Sequence, residues 1–148
     1  MNIILAYIGV VLMVALSGIG SAYGTSIAAN ATVGSMKKRM NSFGQSMILS
    51  ALPATQGLYG FAAFFLMLNK LKVMETLSIN AALAILAAGT ALGIVGFFSA
   101  LKQSTMVANG INEMSNGNDV FGKTLILAVF PELYAILAFA AAFLALPA

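Results

Sequence analysis

One carboxylate stands alone in an otherwise uncharged stretch. From Thr124 to Ala148 the only charged side chain is Glu132, with some eight residues of that stretch before it and some fourteen after. If the stretch crosses a bilayer, an ionised carboxylate at that depth costs about 3 kcal/mol on insertion scales. It persists there only if it is protonated, paired or coordinated. Its distance from either end argues against simple snorkelling to water. A second polar group lies at Leu52, Thr55, Gln56 and Tyr59, whose spacing i, i+3, i+4, i+7 is one helical face. Gln103 adds another amide in a third apolar stretch. Two amide oxygens, a hydroxyl, a carboxylate and a main-chain carbonyl form an all-oxygen set suited to a hard cation. A bare proton on Glu132 needs only one hydrogen-bond acceptor, so the surplus points toward Na⁺. The competing reading is that Gln56 and Gln103 are interhelical hydrogen-bond glue.

The elements that position these residues follow from where charge is missing. The chain has 148 residues, of which 61% are hydrophobic and 7% charged. Ordinary soluble domains are about 25% charged, so a soluble globular enzyme is excluded, and so is a disordered chain. The net charge of +3 is small and scattered, giving no support for nucleic-acid binding. Without Cys or His there is no disulfide, thiolate nucleophile, Cys/His zinc site or His general base. No nucleotide-binding loop is present, so the chain is not expected to hydrolyse ATP itself. Uncharged stretches run over Met1–Met36, Met40–Asn69 and Thr76–Leu101, with the Glu132 stretch as the fourth. They predict four transmembrane helices near 3–33, 46–69, 79–108 and 124–146. The first and third are longer than a membrane needs and are expected to project into the cytoplasm. The N-terminal run has no positive flank and is too long for a signal-peptide core, so cleavage is not expected. Lys37, Lys38, Arg39, Lys102 and Lys123 are counted to the loops after the first and third helices, against Lys70 and Lys72 after the second. The positive-inside rule then puts both termini outside and the basic loops in the cytoplasm.

The chain is internally duplicated. Shifted by 78 positions, Gly18, Ser21, Ala22 and Ser26 fall on Gly96, Ser99, Ala100 and Ser104; Phe43-Gly44 on Phe121-Gly122; Pro53 on Pro131; and Phe61-Ala62-Ala63 on Phe139-Ala140-Ala141. This predicts two helical hairpins, 1–78 with the Thr and Gln ligands and 79–148 with the carboxylate. Each holds two spans, so the copies are parallel, unlike the inverted repeats of many transporters. Parallel units suit side-by-side stacking around an axis. Small residues crowd the first helix (Gly9, Gly18, Gly20, Ser21, Gly24) and the third (Gly89, Gly93, Gly96, Ser99). These two should form a tight inner layer, with the bulkier second and fourth helices toward lipid. The copies differ at one telling point: Glu132 falls on Ala54.

The run Leu52-Pro53-Ala54-Thr55-Gln56-Gly57-Leu58-Tyr59-Gly60-Phe61, the run Pro131-Glu132-Leu133-Tyr134-Ala135-Ile136-Leu137 and the segment Ser17-Gly18-Ile19-Gly20-Ser21-Ala22 resemble the proteolipid ring subunit (c or K) of V/A-type rotary ATPases. The resemblance covers nearly the whole chain and is nearest to the duplicated four-helix, sodium-type form. It implies an all-α membrane protein assembled as a homo-oligomeric ring, turning against a stator that carries an essential Arg and docked on a central stalk. It implies Na⁺ ligation, with H⁺ as the alternative, by the Leu52 carbonyl, Thr55, Gln56, Gln103 and Glu132, with Tyr59 bonded to the carboxylate. Lys102 departs from the pattern, standing where a small or apolar residue is expected. Adjacent helical residues point about 100° apart, so it should face away from Glu132. Two other functions compete. A proton-coupled small multidrug transporter also has four spans and one membrane Glu, but calls for aromatic residues near the carboxylate. A structural scaffold leaves Glu132 unexplained.

Overall fold

The computed structural model describes residues 1–38 and 42–145. Helix α1 spans Asn2–Met36. Helix α2, Phe43–Ala51, passes through a 3₁₀ turn at Leu52–Ala54 into α3, Thr55–Val73. Helices α4, Ile79–Ser115, and α5, Phe121–Leu144, complete the chain. Among the described residues, four helical stretches, with α2 and α3 joined as one, are long and apolar enough to cross a membrane. At 1.5 Å per residue α1 and α4 reach about 50–55 Å, well beyond a hydrocarbon core of about 30 Å. Arg39 of the basic loop and Leu146, the end of the fourth expected span, lie outside the described residues.

Three expectations need correction. The third helix does not stop near 108 but continues to Ser115. Its polar extension keeps helical periodicity, with Gly110, Ile111 and Met114 buried and Asn109, Asn112 and Glu113 not. Lys102 is therefore not a loop residue but lies well inside α4. The second and fourth spans begin earlier than expected, at the repeat-matched Phe43 and Phe121. Finally, the second span is not one continuous α-helix. The two matched prolines behave differently: Pro53 sits in the 3₁₀ turn, whereas Pro131 lies inside an unbroken α5. A proline removes one helical donor at either site. At Pro53 the Thr55 amide and hydroxyl both bond the Leu52 carbonyl, tightening the turn to an i→i+3 pattern. The counterpart of Thr55 in α5 is Leu133, which has no hydroxyl.

Helices α1 and α4, expected to form a tight layer, pack against each other at backbone contact. A Cβ at Gly9 would lie 2.5 Å from the Ile85 carbonyl oxygen, and one at Gly89 would collide with the Gly9 carbonyl. In lipid, association rests on close van der Waals contact, and only glycine permits this approach. Gly89→Leu should therefore destabilise the fold by about 1–3 kcal/mol or more, seen as a lower thermal midpoint in detergent. An unchanged midpoint would mean that the two helices do not meet there. One apolar cluster gathers Met13, Met67, Ile85 and Leu92, and a second gathers Ala28, Leu49, Val107, Ile111 and Ala128. Each draws on all four long helical stretches, and the polar residues 52–59, 99–103 and 132 fall between them along the helices. Beyond Ser115 the chain turns at Gly117, whose φ of 103° suits a residue without Cβ.

Candidate functional site

The 3₁₀ turn delivers the first side of the site. The Thr55 hydroxyl donates to the Leu52 carbonyl at 2.9 Å, and Oγ1 stands 3.4 Å from Gln56 Oε1. The second distance is long for O–H···O, whose usual value is about 2.7–2.8 Å. The hydroxyl proton is thus committed to Leu52, and Thr55 Oγ1 and Gln56 Oε1 face each other as two acceptors. Gln56 is fully buried, and its amide nitrogen donates to Gln103 Oε1 at 3.0 Å and to Ser99 Oγ at 3.1 Å.

Helix α4 delivers the second side. Gln103 is also fully buried, and its Nε2 donates to the Ala128 carbonyl at 2.8 Å and to Glu132 Oε2 at 3.2 Å. Helix α5 brings the carboxylate, which is half-buried; its other oxygen accepts from the Tyr59 hydroxyl at 2.7 Å. Tyr59 packs its ring toward Phe139, centroids 6.2 Å apart. Leu52, Thr55, Gln56, Gln103, Glu132 and Tyr59 thus form one string of polar contacts. They come from three of the four long helical stretches and lie up to 80 positions apart in sequence.

The arrangement is one carboxylate, two amides and two hydroxyls, with a single formal negative charge. Lys102 does not compete for it. That side chain is exposed and lines a separate groove between α4 and α5 with Phe98, Phe130, Pro131 and Tyr134.

Sequence reasoning missed two supporting residues. Ser99 accepts from Gln56 and donates to the Pro131 carbonyl at 2.7 Å, tying α4 to both outer segments. Ser21 accepts from the Gly57 amide at 2.7 Å, fixing α3 against α1 just beside the site. A signal was available: Ser21 and Ser99 are one of the few polar pairs retained at the repeat offset. Each ties an inner helix to the outer segment beside a matched proline.

The family model for the ATP synthase C subunit matches twice, over residues 8–67 and 86–145. The two matches are offset by the same 78 positions as the halves of the sequence. The K subunit of the A-type ATP synthase of Methanocaldococcus jannaschii is 35% identical over 134 residues, which is 90% of this chain. The chain spans 58% of the length of that relative. The K subunit of the V-type sodium ATPase of Enterococcus hirae is 37% identical over 128 residues, covering 86% of this chain and 81% of the relative.

Proposed function

This chain belongs to the family of the ATP synthase C subunit, and from that premise we propose that it is the rotor-ring subunit of a V/A-type rotary ATPase, binding Na⁺ and carrying it across the membrane. The observation that carries this reading is the string of polar contacts from Leu52 to Glu132, which holds more oxygens than a proton needs. Thr55 Oγ1 lies 2.9 Å from the Leu52 carbonyl oxygen and 3.4 Å from Gln56 Oε1. Glu132 supplies the one negative charge that a monovalent ion balances. Gln103 completes the set by turning its amide so that Oε1 faces the ion, and Tyr59 holds the carboxylate in place. The name of the Enterococcus hirae relative, a sodium ATPase subunit, supports Na⁺ over H⁺.

In this mechanism copies of the chain form a ring, with the hairpins 1–78 and 79–148 as its repeating units. With Na⁺ bound, the site is neutral overall and can pass the lipid-facing part of a rotation without a bare anion in hydrocarbon. At the stator, a fixed Arg competes for Glu132 and releases the ion into a half-channel. Each Na⁺ moved against 100 mV requires about 2.3 kcal/mol, supplied by ATP hydrolysis in a partner head, or returned to synthesis in reverse. Without Lys102, the basic loops still hold Lys37, Lys38, Arg39 and Lys123, so the reading keeps both termini outside. Those loops lie on the side where a central stalk docks.

The multidrug-transporter alternative is not favoured. The match extends over both hairpins, and the partners of Glu132 are an amide and one tyrosine, not an aromatic cage. Native mass spectrometry of the purified protein separates the two. A large closed ring is expected; a stable dimer would overturn the rotor reading.

A further inference from the structure

We propose that Lys102 ties neighbouring copies of the chain together by donating a hydrogen bond to Ser26 of the next copy. The inference rests on the ring reading above and adds a job for a residue that the ion site does not use.

The duplication supplies the geometry. At the offset of 78, Lys102 answers to Gly24. Gly24 is buried inside the chain, where a Cβ would come within 2.8 Å of the Pro53 ring carbon and 3.0 Å of the Ala100 carbonyl. Lys102 has the matching proline, Pro131, beside it, but the place corresponding to Ala100 is empty. What stands there is a groove of about 520 Å³, walled by Ile94, Phe98, Met106, Phe130 and Tyr134. The complementary surface lies on α1. Ala100, Ser104, Val107 and Ile111 of α4 are 0% exposed because the first hairpin covers them. Their counterparts Ala22, Ser26, Ala29 and Val33 are all exposed.

One hairpin therefore presents the uncovered socket and the other the uncovered plug. The copies are parallel, so the operation that carries the first hairpin onto the second carries the second onto the first hairpin of a neighbour. The groove is then filled by the neighbouring copy's α1, with its Ala22 opposite Lys102 as Ala100 is opposite Gly24. Exchanging Gly for Lys at this joint inserts a four-carbon stem and an ammonium. The stem lies along the apolar wall, and the ammonium must find an acceptor. Ser26 is one turn from Ala22 on the exposed face. Its hydroxyl already donates to the Ala22 carbonyl at 2.7 Å, so its lone pairs are free to accept.

The natural chain contains no cysteine, which makes a cross-linking test direct. Purified rings carrying Lys102→Cys together with Ser26→Cys should give, with a bifunctional thiol-reactive cross-linker that spans the length of the lost lysine stem, a covalent ladder from dimer to closed ring, and each single variant only monomer. Lys102→Met and Ser26→Ala should each speed detergent dissociation of the ring about tenfold, the scale of one interhelical hydrogen bond in lipid. The double variant should be no faster than either single. Rings of normal mass that give no ladder, or dissociation effects that simply multiply, would overturn the Lys102 assignment while leaving the rotor reading intact. Failure of the unaltered chain to form rings at all would overturn both.

Discussion

Replacing Glu132 by Gln should abolish ion transport while leaving the ring assembled. The two side chains are isosteric, and a glutamine carbonyl still accepts from the Tyr59 hydroxyl that now lies 2.7 Å from Glu132 Oε1. Packing is therefore kept. Charge is not: a cation in the site would lack its only counter-charge. The cost is at least of the order of the 3 kcal/mol that insertion scales assign to an uncompensated charge at this depth, a loss of more than about 100-fold in occupancy. The amide also cannot exchange a proton, so the variant fails for H⁺ as well as Na⁺. Transport into vesicles by the reconstituted complex measures the loss, and native mass of the isolated ring measures assembly. Transport near the unaltered rate would remove Glu132 from the carrier role. Loss of the ring would show that the carboxylate is first a structural residue.

Much of the architecture was legible in the sequence, because a membrane makes charge expensive. The gaps between charged residues marked all four spans, and the duplication at 78 positions marked the two hairpins. The residues of the polar string were legible for the same reason. A carboxylate, two amides and a hydroxyl at membrane depth each need a partner, and the helical spacing of Leu52, Thr55, Gln56 and Tyr59 set them on one side. What was not legible depends on partners that spacing does not reveal. The 3₁₀ turn at Leu52–Ala54 arises from a side-chain bond by Thr55 to a main-chain carbonyl, and the matched Pro131 shows that proline alone does not produce it. Helix α4 runs past the expected end near 108 because Gly110, Ile111 and Met114 keep that polar stretch packed. Ser99 was hidden by its ordinariness among small residues, although it bridges Gln56 and the Pro131 carbonyl. The direction of Lys102 came out as spacing implied, away from Glu132, but the groove that it enters is seen only when α4 and α5 are packed together.

The ion proposed for Glu132 gives the second large effect. Carbodiimides modify a carboxyl only in its protonated form. A Na⁺ bound by the Leu52 carbonyl, Thr55, Gln56, Gln103 and Glu132 excludes that proton, so Na⁺ should slow modification of Glu132. More acid pH should speed it at low Na⁺, and the Na⁺ concentration giving half protection should rise as pH falls. Gln103→Leu removes one proposed ligand oxygen and the amide that now donates to Glu132 Oε2. It should raise the half-protecting concentration by about 10–100-fold, while labelling without Na⁺ persists. The most direct test of the central claim is thus the rate of carbodiimide labelling of Glu132 in the purified ring, followed against Na⁺ at fixed pH. Saturable protection by Na⁺ is the expected result. Labelling indifferent to Na⁺ would contradict it, making the site a proton carrier in which Gln56 and Gln103 serve only to hold the helices together.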